Sequence, residues 1–290
     1  MATATVASRN GAEHRVGPRV EQVFVTPAMA AEWLTKNTHN RRLIKGHVET
    51  LVASLERGEW MLNGETIKFA RDGRLLDGQH RLSACVTAGV GFSTWVAYGV
   101  ESEAFDTIDV NARSRKTSDI LSLHGKENST HLAACVKLLW IFGQTGQFYE
   151  GGGGFNGFSP KTCLEIIGRR PAIQHSITKA NNIRLFPSPS LLAALHYLFS
   201  CADSDMAGEM LEVLSDGSTA LERPFNIYRE AVISRRLSMR RMGARQIAFM
   251  AIRAWNSELS ANWIKKVYYK PNENFPQISG LNYERLADYA

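Results

Sequence analysis

The chain has 290 residues, 44% of them hydrophobic and 21% charged, with a formal net charge of +6. That length and apolar content exclude a low-complexity or disordered chain and admit one large domain or two modest ones. The mild positive charge admits an anionic partner without requiring one, no apolar run approaches the roughly 18 residues of a membrane span, and Cys85, Cys135, Cys163 and Cys201 form no CxxC pair of the kind a zinc site or redox motif uses.

The first nineteen residues have no apolar stretch that would make a secretory signal, and their Ala, Thr, Arg and Gly content reads as a flexible arm. QVFVT, from Gln22 to Thr26, is a short strand. Thr26-Pro27 then combines a helix cap with proline at the first helical position, opening AMAAEWL. Ile44, Val48, Leu51, Val52 and Leu55 recur at helical spacing, and Gly58 stops that helix. His39, Asn40, Arg41 and Arg42 read as its exposed entry.

The period then changes from helix to strand. In NGETIKFA, Thr66, Lys68 and Ala70 alternate with Ile67 and Phe69, and Asp72-Gly73 marks a tight turn. The second strand of this hairpin, Arg74 to Leu76, runs directly into Asp77-Gly78. Leu82, Cys85, Val86 and Gly89 then describe a short helix with a glycine stop, and STWVAYGV, from Ser93 to Val100, another strand. Beyond Arg115 the pattern is helical throughout, with candidates in TSDILSLHG, THLAACVKLLWIFG, SPKTCLEIIG, SPSLLAALHYLFSCA, MAGEMLEVLSDG and RQIAFMAIRAWN. EGGGGFNGF, from Glu150 to Phe158, is a connector without the Lys-Ser/Thr ending of a phosphate-binding P-loop. The expected fold class is therefore α+β: an arm over 1–19, a mixed α/β module over 20–115 and an all-α domain over 116–290.

The concentrated polar set is Asp77-Gly78-Gln79-His80-Arg81, at a strand-to-helix junction. A helix N-terminus offers unpaired amides and partial positive charge to an anion. Gly78 allows a sharp turn and close approach. Arg81 supplies a fork of donors suited to phosphate oxygens, and His80 can donate to phosphate or carry a proton. Asp77 has three available roles: ligand to hydrated Mg²⁺, proton acceptor, or helix cap. The plain alternative is an Asp-Gly turn with solvated His80 and Arg81.

DGQHRLSA resembles the signature of DGQHR-domain proteins within the ParB/sulfiredoxin superfamily. Gly78, Arg81 and Ala84 match the ParB pattern Gly-Glu-Arg-Arg-x-x-Ala, from which Gln79 and His80 depart. Gly78, His80 and Arg81 match the sulfiredoxin pattern Gly-Cys-His-Arg, in which Gln79 replaces the cysteine, so sulfinic acid reduction is excluded. The resemblance covers about Val20 to Val100 and extends to phage and bacterial proteins that carry this module ahead of a helical region. It implies a small α/β module binding ATP or CTP with Mg²⁺, a link to DNA, a cytoplasmic location in a bacterial or phage-infected cell, and leaves a homodimer open. Superfamily members include CTP-dependent DNA clamps and an amino-acid kinase.

On this reading Gly78, Gln79 and Arg81, with Arg113 from IDVNARSRK, hold phosphates. Asp77, His80 and Glu65 are the catalytic candidates, with Asp77 also the metal ligand. Glu65 reads equally as a strand-edge charge facing water, and Asp109, Arg113 and Arg115 as a basic linker. Arg236, Arg240, Arg241 and Arg245 are the candidate DNA contacts. At 100° per residue Arg229, Arg236 and Arg240 share one helix face and Arg241 and Arg245 another, although a solvated charged face is the commoner arrangement. Trp255, Trp263, Tyr268 and Tyr269 read as core. Three functions remain: a nucleotide-binding protein acting on or with DNA, a phosphotransferase or nuclease of the same fold, and a DNA-binding regulator without nucleotide turnover.

Overall fold

The computed structural model describes residues 18–38, 40, 42–102, 115–149, 157–184, 186–217, 220–238 and 242–284. The chain divides into two compact units, 1–113 and 114–290, each with its own hydrophobic core. The fold is α+β, with all the strands of the described residues in the first unit.

The first unit runs β1 (Arg19–Val25), α1 (Pro27–Leu34), α2 (Lys45–Glu56), β2 (Thr66–Ala70), β3 (Leu75–Asp77), α3 (Gln79–Ala88) and β4 (Phe92–Val100). Thr26 caps α1 as its sequence suggests, its Oγ1 accepting from the Met29 amide at 3.2 Å with Pro27 in the first turn. The strand order is β1-β4-β2-β3. β1 lies antiparallel to β4, β4 parallel to β2, and β2 antiparallel to β3, with an irregularity at Lys68/Phe69. The parallel β2·β4 pair requires a crossover, and α3 lies within that connection.

Side chains alternate across a sheet. One face carries Val23, Val25, Ile67, Phe69, Phe92 and Val96, and packs with Trp33, Leu55 and Leu82 into the core of the unit. The Trp33 ring stands edge-on to Phe69 at 5.2 Å, and Phe69 stacks on Tyr98 at 5.5 Å. The opposite face carries Thr66 and Lys68, as the alternation in the sequence requires.

The second unit contains α4 (Thr117–Leu123), α5 (Ser129–Thr145), α6 (Pro160–Arg169), α7 (Ala172–Asn181), α8 (Pro189–Ala202), α9 (Ser204–Asp216), α10 (Pro224–Leu237) and α11 (Ala244–Leu259). Ser159 and Ser188 cap α6 and α8 by accepting from the Thr162 and Leu191 amides. α8 is apolar all round and buried from Ser190 through Phe199, which makes it the central helix. Phe199 stacks on the fully buried Trp255 of α11 at 4.3 Å. Trp255 is core as expected from the sequence, but Trp263 and Tyr268 are 44% and 45% exposed. The chain after α11 is held by hydrogen bonds to polar groups, not by burying every ring: the Trp255 indole donates to the Ser279 carbonyl, and Arg253 pairs with Glu273 while lying over Tyr268. Among the described residues no helix is long and apolar enough to cross a membrane.

Candidate functional site

The Asp77–Arg81 cluster forms where the hairpin ends and α3 begins. Gly78 is the N-cap of α3 at φ 107°. This left-handed conformation favours glycine, and an added Cβ would lie 2.9 Å from Ile67 Cγ1. Its glycine is thus required by the turn and by the core beneath it.

Asp77 uses both carboxylate oxygens internally. Oδ1 accepts from the Gly78 amide at 2.7 Å. Oδ2 accepts from Lys68 Nζ at 2.7 Å and, more weakly, from Arg81 Nη2 at 3.4 Å. The pairing of Lys68 with Asp77 follows from strand register, because the two are cross-strand partners in β2 and β3. Arg81 Nη2 also donates to the Thr66 carbonyl at 2.8 Å. Its other terminal nitrogen, Nη1, is buried with no hydrogen-bond partner. Two cations therefore converge on one carboxylate, leaving one unit of positive charge and one unmet donor in a half-buried corner. Buried donors in native proteins are nearly always satisfied, so this orphan is a local cost of the packing around Asp77.

Gln79 and His80, expected to meet phosphate or move a proton, are instead turned into the protein. Gln79 is 5% exposed, and its Oε1 accepts from Asn37 Nδ2 at 3.0 Å. His80 is 8% exposed, and its Nε2 accepts from the Ile44 amide at 3.0 Å, which requires the neutral ring with its proton on Nδ1. The His47 ring stands edge-on to it at 5.1 Å. Asn40 completes this side by donating to Asn37 Oδ1 and the Leu75 carbonyl. Expected as part of an exposed helix entry, Asn40 is a fastener instead; His39 and Arg41 lie outside the described residues. The physical reason is a coil between α1 and α2 whose polar backbone must be satisfied where it crosses the box. From α3, His80 accepts from the Ile44 amide of this coil and Gln79 accepts from its Asn37 side chain.

The remaining predicted residues do not join this corner. Glu65 is exposed ahead of β2, its amide accepted by Asn63 Oδ1. Asp109 and Arg113 lie outside the described residues. α10 ends at Leu237 and α11 begins at Ala244 with Gly243 as its N-cap, so Gly243 breaks the helix and Arg236 and Arg245 stand on different helices. Arg236 donates to the Arg184 carbonyl at 2.7 Å; Arg245 donates to Gln147 Oε1 and lies 4.9 Å over the Phe275 ring. Arg240 and Arg241 lie outside the described residues. Sequence reasoning passed over Lys68 and Asn37. The outward parity of Lys68 in NGETIKFA was a usable signal for the first; Asn37 had none, because its contact spans 42 positions.

The corner suits an anion and does not suit a protein-held metal. Both Asp77 oxygens already face donors, two of them cationic. Among the described residues no group of three His, Cys, Asp or Glu side chains could hold a metal ion. An open hollow of about 430 Å³ lies at the β1/β4 end of the unit, lined by Phe24, Leu55, Trp60, Leu62, Val90 and their neighbours, with no charged side chain among them. Comparison with protein-family models, curated proteins and solved structures returns no match.

Proposed function

We propose that this chain is a nucleotide-binding protein of the ParB/sulfiredoxin type that holds phosphate at the Lys68–Asp77–Arg81 corner. The observation that carries the reading is the convergence of two cations, Lys68 and Arg81, on the single carboxylate of Asp77, which leaves the corner one positive charge in excess. A phosphate oxygen supplies the negative charge the corner lacks, and the partly exposed Lys68 is the cation it meets first. The DGQHR resemblance supports the same ligand class, ATP or CTP, and Mg²⁺ enters only as a companion of the nucleotide's own phosphates.

Binding without turnover fits this corner better than phosphoryl transfer or nuclease chemistry. Asp77 acts as an internal counter-ion and His80 Nε2 is occupied by a backbone amide, so neither is poised as a general base. DNA contact through the helical unit has less support, because Arg236 and Arg245 are engaged within the fold.

The test is thermal unfolding of the full chain with inorganic tripolyphosphate, ATP and CTP. A ligand at one hundred times its Kd adds about 2.7 kcal/mol of stability, enough to raise the midpoint by several degrees. The shift is expected for the wild type and lost in Arg81→Ala and Lys68→Met. No shift in the wild type with any of the three overturns the proposal.

A further inference from the structure

The strand register arranges the face of the sheet opposite the core into cross-strand rows. One row is Val20, Ala97, Lys68 and Asp77; the next is Gln22, Trp95 and Thr66. Arg81 closes the second row by donating to the Thr66 carbonyl. Trp95 is thus on the same face as Lys68, one strand across, with only the small Ala97 between strand neighbours in the charged row.

Trp95 differs from the other tryptophans of the folded cores. Trp33, Trp60, Trp140 and Trp255 each meet another aromatic ring. Trp95 is partly exposed, meets no ring of a described residue, and its indole N–H donates to none of them. Beyond it Gln22 is exposed and borders the uncharged hollow at the β1/β4 end. Asp77 and Gln22 are three strand spacings and one row apart, about 16 Å at roughly 4.8 Å per strand and 3.4 Å per residue. The face therefore has a cationic end, an indole in the middle that stacks on no ring of the described residues, and an exposed amide at an uncharged end.

We propose that this face is the nucleoside subsite: the base stacks on Trp95, the Gln22 amide meets the base edge, and the phosphates reach Lys68 and Arg81. The inference rests on the phosphate reading above and assigns the residues that distinguish a nucleotide from a bare polyphosphate. Stacking on an indole is tolerant of base identity, since every base has a π-face. An amide carries both donor and acceptor, so the exposed Gln22 can read the base edge.

Calorimetric titration of the full chain with ATP, CTP and inorganic tripolyphosphate tests this. The wild type binds at least one nucleotide about tenfold more tightly than tripolyphosphate, the size expected for one stacked base. Trp95→Ala removes that advantage and leaves tripolyphosphate affinity unchanged, and Trp95→Phe keeps most of it. Tryptophan fluorescence is quenched by the nucleotide, not by tripolyphosphate, and the quenching is lost in Trp95→Phe. Tripolyphosphate binding as tightly as both nucleotides, or a nucleotide advantage unaffected by Trp95→Ala, overturns the subsite and leaves the phosphate reading standing. Failure of tripolyphosphate to bind the wild type, by contrast, overturns the phosphate reading and the subsite with it.

Discussion

Asp77 in the first unit and Arg223 in the second are inverse arrangements. Asp77 is one carboxylate between two cations. Arg223 is one guanidinium between two carboxylates, with Glu209 3.0 Å from Nη2 and Glu258 3.2 Å from Nε. Burial works against the Arg223 charge, but the hydrogen bonds and attraction of Glu209 and Glu258 outweigh it and raise its pKa above the ordinary arginine value. The surplus charge falls in different places. In the helical unit it rests on Glu209, which is 55% exposed and solvated. In the first unit Arg81 is 13% exposed and its Nη1 is out of reach of water. A solvated surplus needs no partner; a buried one does.

The largest effect expected is structural and confined to the first unit. Gly78→Ala forces a Cβ against Ile67 at a positive φ, costing about 3 kcal/mol from strain and overpacking combined. Two-unit unfolding followed by hydrogen exchange should show the sheet residues losing protection and α8 unchanged. Uniform loss across both units would mean the two do not unfold separately.

Glu258→Ala probes the other side of the comparison. Glu258 is 4% exposed and also accepts from the Phe225 amide in the first turn of α10. Its loss leaves a buried amide and part of a guanidinium unpaired, costing about 2–3 kcal/mol. Chemical denaturation should report this in the helical unit, and no ligand of the first unit should restore it. Restoration by tripolyphosphate would contradict the separation of the two sites.

A pH titration sharpens the contrast further. His196 is buried with Nδ1 2.9 Å from the Ser176 hydroxyl. Burial, aided by Lys179 and His175, lowers its pKa from 6.5 to about 4. The folded unit therefore resists protonation that the unfolded chain accepts. Stability is full above pH 6.5, falls as the pH drops toward 4 and is flat below, by roughly 3 kcal/mol in all. His196→Gln should flatten that part of the stability profile; an unchanged slope would show that other groups set it.

The sequence made the helix starts and the hairpin readable because those signals are local. Thr26-Pro27, Ser159-Pro160 and Ser188-Pro189 became capped helices, and Asp72-Gly73 became the turn between β2 and β3. α7 was not anticipated, although Ile173, Ile177 and Ala180 recur at helical spacing in AIQHSITKAN and form its buried face. The position of β4 between β1 and β2 was not readable either, because strand order depends on contacts far apart in sequence. That order is what brings Trp95 and Gln22 onto the same face as Lys68, one row away. Within the box the polar composition was visible but the direction of each side chain was not. Gln79 and His80 face inward only because the chain near Asn37 and Ile44 passes over them.

Asp77 is read as a counter-ion that competes with phosphate for Lys68 and Arg81, not as a metal ligand or base. Asp77→Asn separates these roles, because the amide oxygen can still accept from the Gly78 amide while the negative charge is gone. Calorimetric Kd values for tripolyphosphate decide between them. The variant is predicted to bind about tenfold more tightly than the wild type, as expected for removing one competing charge at hydrogen-bond distance. Weaker binding by Asp77→Asn would contradict it.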